Sequence, residues 1–373
     1  MPRRDPRLAD IPTSVNDEIQ DRAIRHLLFL LRLQNGEARQ VVEFLDTEVL
    51  PDVLDRLERR LGRIAARGFD TGPVTTRRLQ ELAAALNQIV DDGLRGLRGE
   101  VVDRLVALAK QEATWQVGAI NSSLPVKLEM VIPSAATMRA VVTKHPFDGA
   151  PLADWFRGLA RQTQRGLIGA ILRGLVEGET VGQIVRRIRG TRANRFRDGV
   201  LATTRHNAEA IARTAVIHVS NIARQETLTA NADVLKGVQW VATLDSRTCP
   251  ECQGLDGKVF PLDKGRRPPA HVNCRCTISP VLKSFRQLGI DADEIPPATR
   301  ASIDGQVPET TTYNQWLRRQ SASVQDEALG PTRGALFRRG ELSVSQFTNR
   351  TGRVFTLDEL RGREPEAFDR ANL

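Results

Sequence analysis

The 373-residue sequence is sparing in several residue types. Aromatics make up 5 %, and there are only three methionines, five histidines and four cysteines. So few, isolated aromatics offer no base-stacking platform for single-stranded nucleic acid. The longest purely apolar runs, such as Leu27–Leu31, are far shorter than the ~20 residues that a membrane-spanning helix needs. Met1–Asp10 is charged and has no apolar core, so no secretory signal is expected. Catalytic signatures are missing too. There is no Gly-Lys-Ser/Thr phosphate loop, no His-Glu-x-x-His zinc helix and no Gly-x-Ser-x-Gly elbow. No internal repeat or low-complexity tract interrupts the chain.

What is present is charge, mostly arginine. Lys+Arg number 54 against 45 Asp+Glu, a formal net charge of +9. Charged residues are 27 % of the chain, close to the ~25 % of ordinary globular domains, and the length suggests two or three domains with ample core. A basic balance favours anionic partners but speaks first to solubility and non-specific attraction. Its distribution is more informative. Arg186, Arg187, Arg189, Arg192, Arg195, Arg197 and Arg205 crowd one stretch opposed only by Asp198. This stretch is a candidate sequence-independent DNA-binding surface. The alternative is a solvated face that pairs with acidic protein surfaces.

Apolar spacing predicts helix from residue 14 to about 118. Leu50, Leu54, Leu57, Leu61 and Ile64 fall on one seam, followed by Leu79, Leu82, Leu86 and Ile89, then Leu97, Val101, Leu105 and Leu108. Pro51 suits a first helical turn, and the cluster Gly68–Pro73 should fold the chain back. This region reads as a helical bundle or as a docking arm open to self-association. Helical pattern resumes at Trp155 and Leu159 and continues through Leu167, Ile168, Ile171, Leu172 and Leu175. Gly178 fits a stop, and Thr180 fits a cap for the next helix. A longer helix is expected from about Asn207 to Ala232. After Gly237 the period shortens, and strands are expected around Val238–Ala242, Lys258–Phe260 and Cys276–Ile278, with Asp256-Gly257 as a tight turn. Residues 283–312, with Pro296-Pro297, read as linker. The tail from Tyr313 carries its own helix and a capped final turn at Thr356–Leu360. The fold class expected is α+β and predominantly α-helical: an elongated helical N-terminal region (1–140), a central helical domain with a small zinc-braced β lobe (141–282), the linker, and a helical C-terminal segment (313–373).

All four cysteines lie between Cys249 and Cys276. Cys249-Pro250-Glu251-Cys252 is a C-x-x-C knuckle, and His271-Val272-Asn273-Cys274-Arg275-Cys276 follows it. Two sulfurs on a turn plus a distant His and Cys can place four ligands around a tetrahedral zinc. Cys249, Cys252 and His271 are three of them, and either Cys274 or Cys276 completes the set, with Cys274 favoured because His-x-x-Cys fits one turn. The competing readings are disulfides, disfavoured without an export signal, and free structural thiols. Four protein ligands leave no position for water, so the site reads as structural and the protein as no enzyme. The deaminase pattern fails because His271 lies downstream of the cysteine pair and Asn273 stands where a Glu is required. A zinc-braced, HNH-like nuclease needs a further His or Asp near His271 and Asn273. His218, within a helix, reads as a core or boundary residue rather than a ligand.

Several of these words together resemble the phage Mu F-like head morphogenesis family. They are Ile211-Ala212-Arg213-Thr214, the run Trp240–Cys252, Leu255–Phe260, and Pro268–Cys276. The resemblance covers roughly residues 150–282. The tail from Tyr313-Asn314-Gln315-Trp316-Leu317 through Leu329–Arg333 to Leu336-Phe337 resembles segments attached to such proteins. The resemblance implies a non-enzymatic minor head protein of a tailed phage or prophage. Such a protein associates with the portal and other head proteins, is carried into the head during assembly in the host cytoplasm, and stays near the packaged DNA. One departure is that Ala215 stands where family members often carry Glu, so a role resting on that carboxylate does not transfer.

Overall fold

The computed structural model describes residues 15–66, 73–146, 149–290, 299–302, 305–308, 311–349 and 353–373. The expectations for Met1–Asp10, for most of the Gly68–Pro73 turn and for Pro296-Pro297 lie outside these residues. The chain is predominantly helical with a small β lobe. Its first helices are α1 (Val15–Phe44), α2 (Leu50–Ala65) and α3 (Pro73–Asn121). Between α1 and α2 the chain does not break but widens into one π turn, Leu45–Val49, where the Leu50 amide donates to the Leu45 carbonyl. Pro51 is the physical reason. It has no N–H for the Thr47 carbonyl, and its ring would crowd that carbonyl in a regular α-turn.

The apolar seam of α2 is formed by Leu50, Val53, Leu57, Leu61 and Ile64, all buried, while Leu54 is only half-buried. The seam therefore takes Val53 in place of the expected Leu54. In α3, Leu82, Leu86, Ile89, Leu97, Val101, Leu105 and Leu108 are buried as their spacing implies.

Further helices are α4 (Ala135–Lys144), α5 (Leu152–Val176), α6 (Val181–Arg189) and α7 (Val200–Thr229). Leu159, Leu167 and Ile171 on α5 are buried, but Leu172, expected on the inner face, is 49 % exposed. Thr180 caps α6 in a reciprocal box with Gln183, which satisfies two amides that the first helical turn leaves open. The strands β1 (Leu235–Val241), β2 (Val259–Phe260) and β3 (Thr277–Leu282) form one antiparallel sheet in the order β2–β1–β3. A one-and-a-half-turn helix, α8 (Pro250–Leu255), lies between β1 and β2. Within the stretch expected as linker, β4 (Thr299–Ser302) pairs with β5 (Gly305–Pro308) as an antiparallel ribbon. The chain ends in α9 (Tyr313–Arg318), α10 (Ala322–Leu329), α11 (Pro331–Arg338), α12 (Leu357–Arg363) and α13 (Pro365–Ala371). Among the described residues no helix is long and apolar enough to cross a membrane.

Two compact units form, each from separated pieces of chain. One comprises Met1–Arg32, Ala109–Ala135 and Ser220–Leu373; the other comprises Leu33–Leu108 and Ala136–Val219. Among the described residues, three clusters of buried side chains lie in the first unit. Ile19, Ile120 and Leu228 pack with Val238, Ile278 and Leu282 of the sheet. Trp240, Ala242 and Leu255 pack around Cys252, Cys274 and Cys276. Tyr313, Trp316, Leu336, Phe337, Phe347 and Phe368 form the core of the C-terminal helices, which also takes in Leu244.

Inside this unit a guanidinium is fully buried. Arg224 of α7 donates from Nε to Gln116 Oε1 (2.8 Å), from Nη1 to Thr277 Oγ1 (2.7 Å) and from Nη2 to the Ile278 carbonyl (2.7 Å). Its face lies 4.7 Å from the centre of the Trp115 ring, which in turn stacks on His26 at 3.8 Å. His26 Nε2 is 2.7 Å from the buried Glu112 carboxylate. Burial pulls the Arg224 pKa down to about 10, an effect opposed by the Glu112 charge.

Candidate metal centre and basic surfaces

The cysteine segment folds as it does for local reasons. Cys249 is the N-cap of α8, its sulfur accepting from the Cys252 amide at 3.5 Å, and Pro250 at the first helical position gives up no hydrogen bond there. This knuckle turns both sulfurs to the same side. The second half arrives from the chain before β3. There Asn273 takes a left-handed conformation (φ 59°) and the Cys274 amide donates to the His271 carbonyl, which closes the turn.

Five donors converge. Cys249, Cys252 and His271 form one triad and Cys252, Cys274 and Cys276 another; within each triad the ligand atoms lie within 4.8 Å of one another. His271 Nε2 is 3.0 Å from Cys249 Sγ and 3.5 Å from Cys252 Sγ, and the Cys252 and Cys274 sulfurs are 3.7 Å apart. A zinc–sulfur distance of 2.3 Å in a tetrahedron sets sulfur–sulfur edges of about 3.8 Å. The 3.7 Å separation fits that edge and is far from the ~2.05 Å of a disulfide. All four cysteines are free thiols. His271 Nδ1 lies 2.8 Å from the Val272 carbonyl, the outer contact that fixes a ligating imidazole and aims Nε2 at a metal. The residues present therefore fit a metal ion.

Without a metal the cluster polarises itself. Hydrogen bonding from Cys252 and His271 brings the Cys249 pKa down to about 5, and the Cys249 and Cys274 sulfurs raise His271 to about 11. Cys274 is likewise held well below the ordinary thiol range, chiefly by Cys252. Cys276, fully buried, is pushed well above it by desolvation. Two sulfurs that favour the thiolate, Cys249 and Cys274, thus flank an imidazole that favours its charged form, while Cys252 and Cys276 are pushed toward the protonated thiol.

The lobe is tied down by carboxylates that the motif reading did not single out. Asp245 Oδ2 pairs with Arg275 at 2.6 Å, between the two cysteines of the Cys-x-Cys step. Asp256 accepts the Ala242 amide (2.9 Å) on one oxygen and the Tyr313 amide (3.0 Å) on the other. Tyr313 donates its hydroxyl to the Asp245 carbonyl (2.9 Å) and accepts from Gln253 (3.1 Å). The first C-terminal helix thus rests directly on the helix that bears Cys252. Arg224 and Asn221 of α7 reach Thr277, Ile278 and the Cys276 carbonyl, so β3 is held immediately beyond the last cysteine. No sequence pattern marks these contacts, because each joins residues far apart in the chain.

The arginine stretch lies on α6 and the loop that follows it. Arg186, Arg189, Arg192, Arg195 and Arg197 are exposed. Arg187 is half-buried and engaged, with Nε 3.1 Å from Glu179 Oε2 and Nη2 paired to both Glu179 and Glu177. This pairing holds the Glu179 carboxyl below its usual range. The loop is tightly tied, since the Asp198 carboxylate accepts from the Thr191 amide (2.7 Å), the Thr191 hydroxyl (2.6 Å) and Asn194 Nδ2 (2.9 Å). Arg195 and Phe196 adopt left-handed conformations, and the Arg189 guanidinium sits 5.7 Å over the Phe196 ring. His218, on α7, is buried, and desolvation lowers its pKa to about 4, helped by the charge of His145.

No curated protein and no solved structure matches the chain. Its central region does match a family: residues 167–279, from within α5 to within β3 and including all five metal-donor residues, match the family described as Phage Mu protein F like protein.

Proposed function

We propose that the chain is a minor head protein of a tailed phage or prophage. It acts in head morphogenesis, in the head interior near the portal, and has no catalytic role of its own. The observation that carries this reading is the family match over residues 167–279, which encloses the whole Cys/His cluster. In this role the cluster holds a structural zinc through Cys249, Cys252, His271 and Cys274, with Cys276 as a buried thiol beneath it. Such an ion braces a three-stranded lobe with little core of its own; structural zinc sites contribute roughly 10–16 kcal/mol of apparent binding free energy.

A second reading, a sequence-independent DNA contact within the virion, is favoured by one observation. Residues 136–219 carry fourteen Lys/Arg against six Asp/Glu, so nearly all of the +9 resides there.

Co-expression with portal and major head proteins tests the assembly role. The chain is expected to co-sediment with the assembled heads. Heads that form at wild-type yield and never contain the chain would refute it. Elemental analysis of the purified chain tests the metal separately, with about one zinc per chain expected. Cys274→Ser should lose the zinc and Cys276→Ser should keep it. A folded wild-type protein free of zinc removes the site.

A further inference from the structure

The densest run of arginines, at 186–197, is not the only basic surface of its unit. Helix α5 carries Arg157, Arg161, Arg165 and Arg173, all at multiples of four residues and all exposed. At 1.5 Å per residue, each four-residue step places Arg157, Arg161 and Arg165 about 6 Å apart along one slanting stripe about 12 Å long, while Arg173, eight residues further on, lies beyond it and well around the helix. Like charges at this spacing cost a helix a few tenths of a kcal/mol per pair unless something compensates them. Little within the chain does so. Arg157 pairs with Asp154. Among the described residues no carboxylate pairs with Arg161, Arg165 or Arg173; Arg165 and Arg173 direct Nε to the carbonyls of Arg161 and Gly169, both at 3.3 Å.

The stripe continues sideways. Arg95 and Arg98 of α3 line one groove together with Arg157 and Arg161 of α5, so four guanidinium groups border a single depression. The one acidic side chain lining that groove, Asp91, already accepts from Gln164 Nε2 at 2.8 Å.

We infer that α5, with the groove beside it, is a track for the phosphate backbone of duplex DNA; this rests on the DNA reading above and assigns it a surface. Three features select this partner. The cations are all arginine, whose planar fork matches phosphate oxygens two at a time. They repeat along a line rather than clustering as a point site. The stripe has no aromatic side chain interleaved for base stacking, so it contacts the backbone and is indifferent to sequence. The exposed Leu172 and Val176 occupy only the end of the helix, beyond the run from Arg157 to Arg165.

The test uses the full chain with a fluorescent duplex of about 30 base pairs and arbitrary sequence, with affinity measured by anisotropy across a salt series. Each neutralised phosphate steepens the log–log salt dependence by about 0.9. Arg161→Glu/Arg165→Glu should therefore weaken binding about tenfold or more near 0.2 M salt and make the slope shallower by about 1.8. Arg161→Gln/Arg165→Gln, which introduces no new charge, should show the same slope change. Circular dichroism of both variants should match wild type, since the side chains are exposed. Wild-type binding that both variants leave unchanged, but that Arg192→Glu/Arg195→Glu abolishes, overturns the α5 track and keeps the DNA reading. A wild-type chain that ignores the duplex at low salt overturns both. Binding of polyglutamate in place of the duplex, lost in the same α5 variants, reassigns the stripe to an acidic protein partner.

Discussion

Replacing Arg224 by Met removes a charge from a fully buried position beside the lobe that carries the candidate metal site, while nearly preserving side-chain volume. In the wild type the guanidinium satisfies Gln116 Oε1, Thr277 Oγ1 and the Ile278 carbonyl at 2.7–2.8 Å and lies against Trp115. Hydrogen bonds from a charged donor are worth about 1.5–3 kcal/mol each before the burial of that donor is counted. The lowering of the Arg224 pKa to about 10 shows that burial takes back part of this. The substitution leaves three oxygens, Gln116 Oε1, Thr277 Oγ1 and the Ile278 carbonyl, without this donor, and breaking a buried charged network from one side costs about 3–5 kcal/mol. Urea unfolding monitored by tryptophan emission should register that loss. Because Thr277 and Ile278 directly follow Cys276, a competing chelator should also strip zinc from the variant about 10–100-fold more readily, the usual effect of losing a contact behind a ligand. A variant within about 1 kcal/mol of wild type, with zinc retention unchanged, would refute the view that this arginine anchors β3.

Much of the helical scaffold is legible in the sequence because burial follows a 3.6-residue period. The leucines of α2 and α3 announce their inner faces, and Thr180 with Gln183 announces the start of α6. Exposure breaks the pattern at Leu172, which keeps helical spacing yet faces outward, because period alone does not say how wide the covered stripe is. The π turn before Pro51 is a response to a missing amide inside a continuing helix, where a local rule expects a new beginning. The clustering of the candidate metal donors was legible for a different reason. Cys249, Cys252, His271, Cys274 and Cys276 have few other uses at such density, so residue type alone selects them. Their supports were hidden. Asp245, Asp256, Tyr313 and Arg224 are ordinary residues whose role exists only through tertiary contacts. The α5 arginines keep a four-residue spacing visible in the sequence, but they are sparser than those at 186–197 and so stand out less. The two units were not readable, since α1, α3 and α7 each contribute residues to both.

Two further perturbations test the arginine loop and the acid response of the fold. A methyl group at Gly199 would overlap the Gly190 nitrogen and the Arg189 carbonyl carbon, both backbone atoms that cannot swing away. Gly199→Ala should therefore cost about 1–3 kcal/mol in urea unfolding and open the loop to trypsin at Arg192, Arg195 and Arg197. Unchanged digestion at those bonds would show that the loop does not depend on this close backbone approach. His218 predicts a pH dependence whose sign is fixed by its environment. Its folded-state pKa of about 4 lies below the ordinary 6.5, because desolvation penalises the imidazolium and the His145 charge adds to the penalty. Above pH 6.5 the ring is neutral in both states and contributes nothing to the pH dependence. As pH falls from 6.5 toward 4 the unfolded chain takes up a proton that the folded chain refuses, so stability is lost across that window. A difference of this size is worth about 3 kcal/mol at its full extent. His218→Gln keeps a polar group of similar reach and cannot charge, so its stability should fall less between pH 6.5 and 4 than that of wild type. Following the two proteins by urea midpoint at pH 7.5 and pH 4.5 isolates this residue, because every other titrating group is shared. Parallel declines in the two proteins would mean that the imidazole charges freely in the folded state, and the burial argument for His218 would fall.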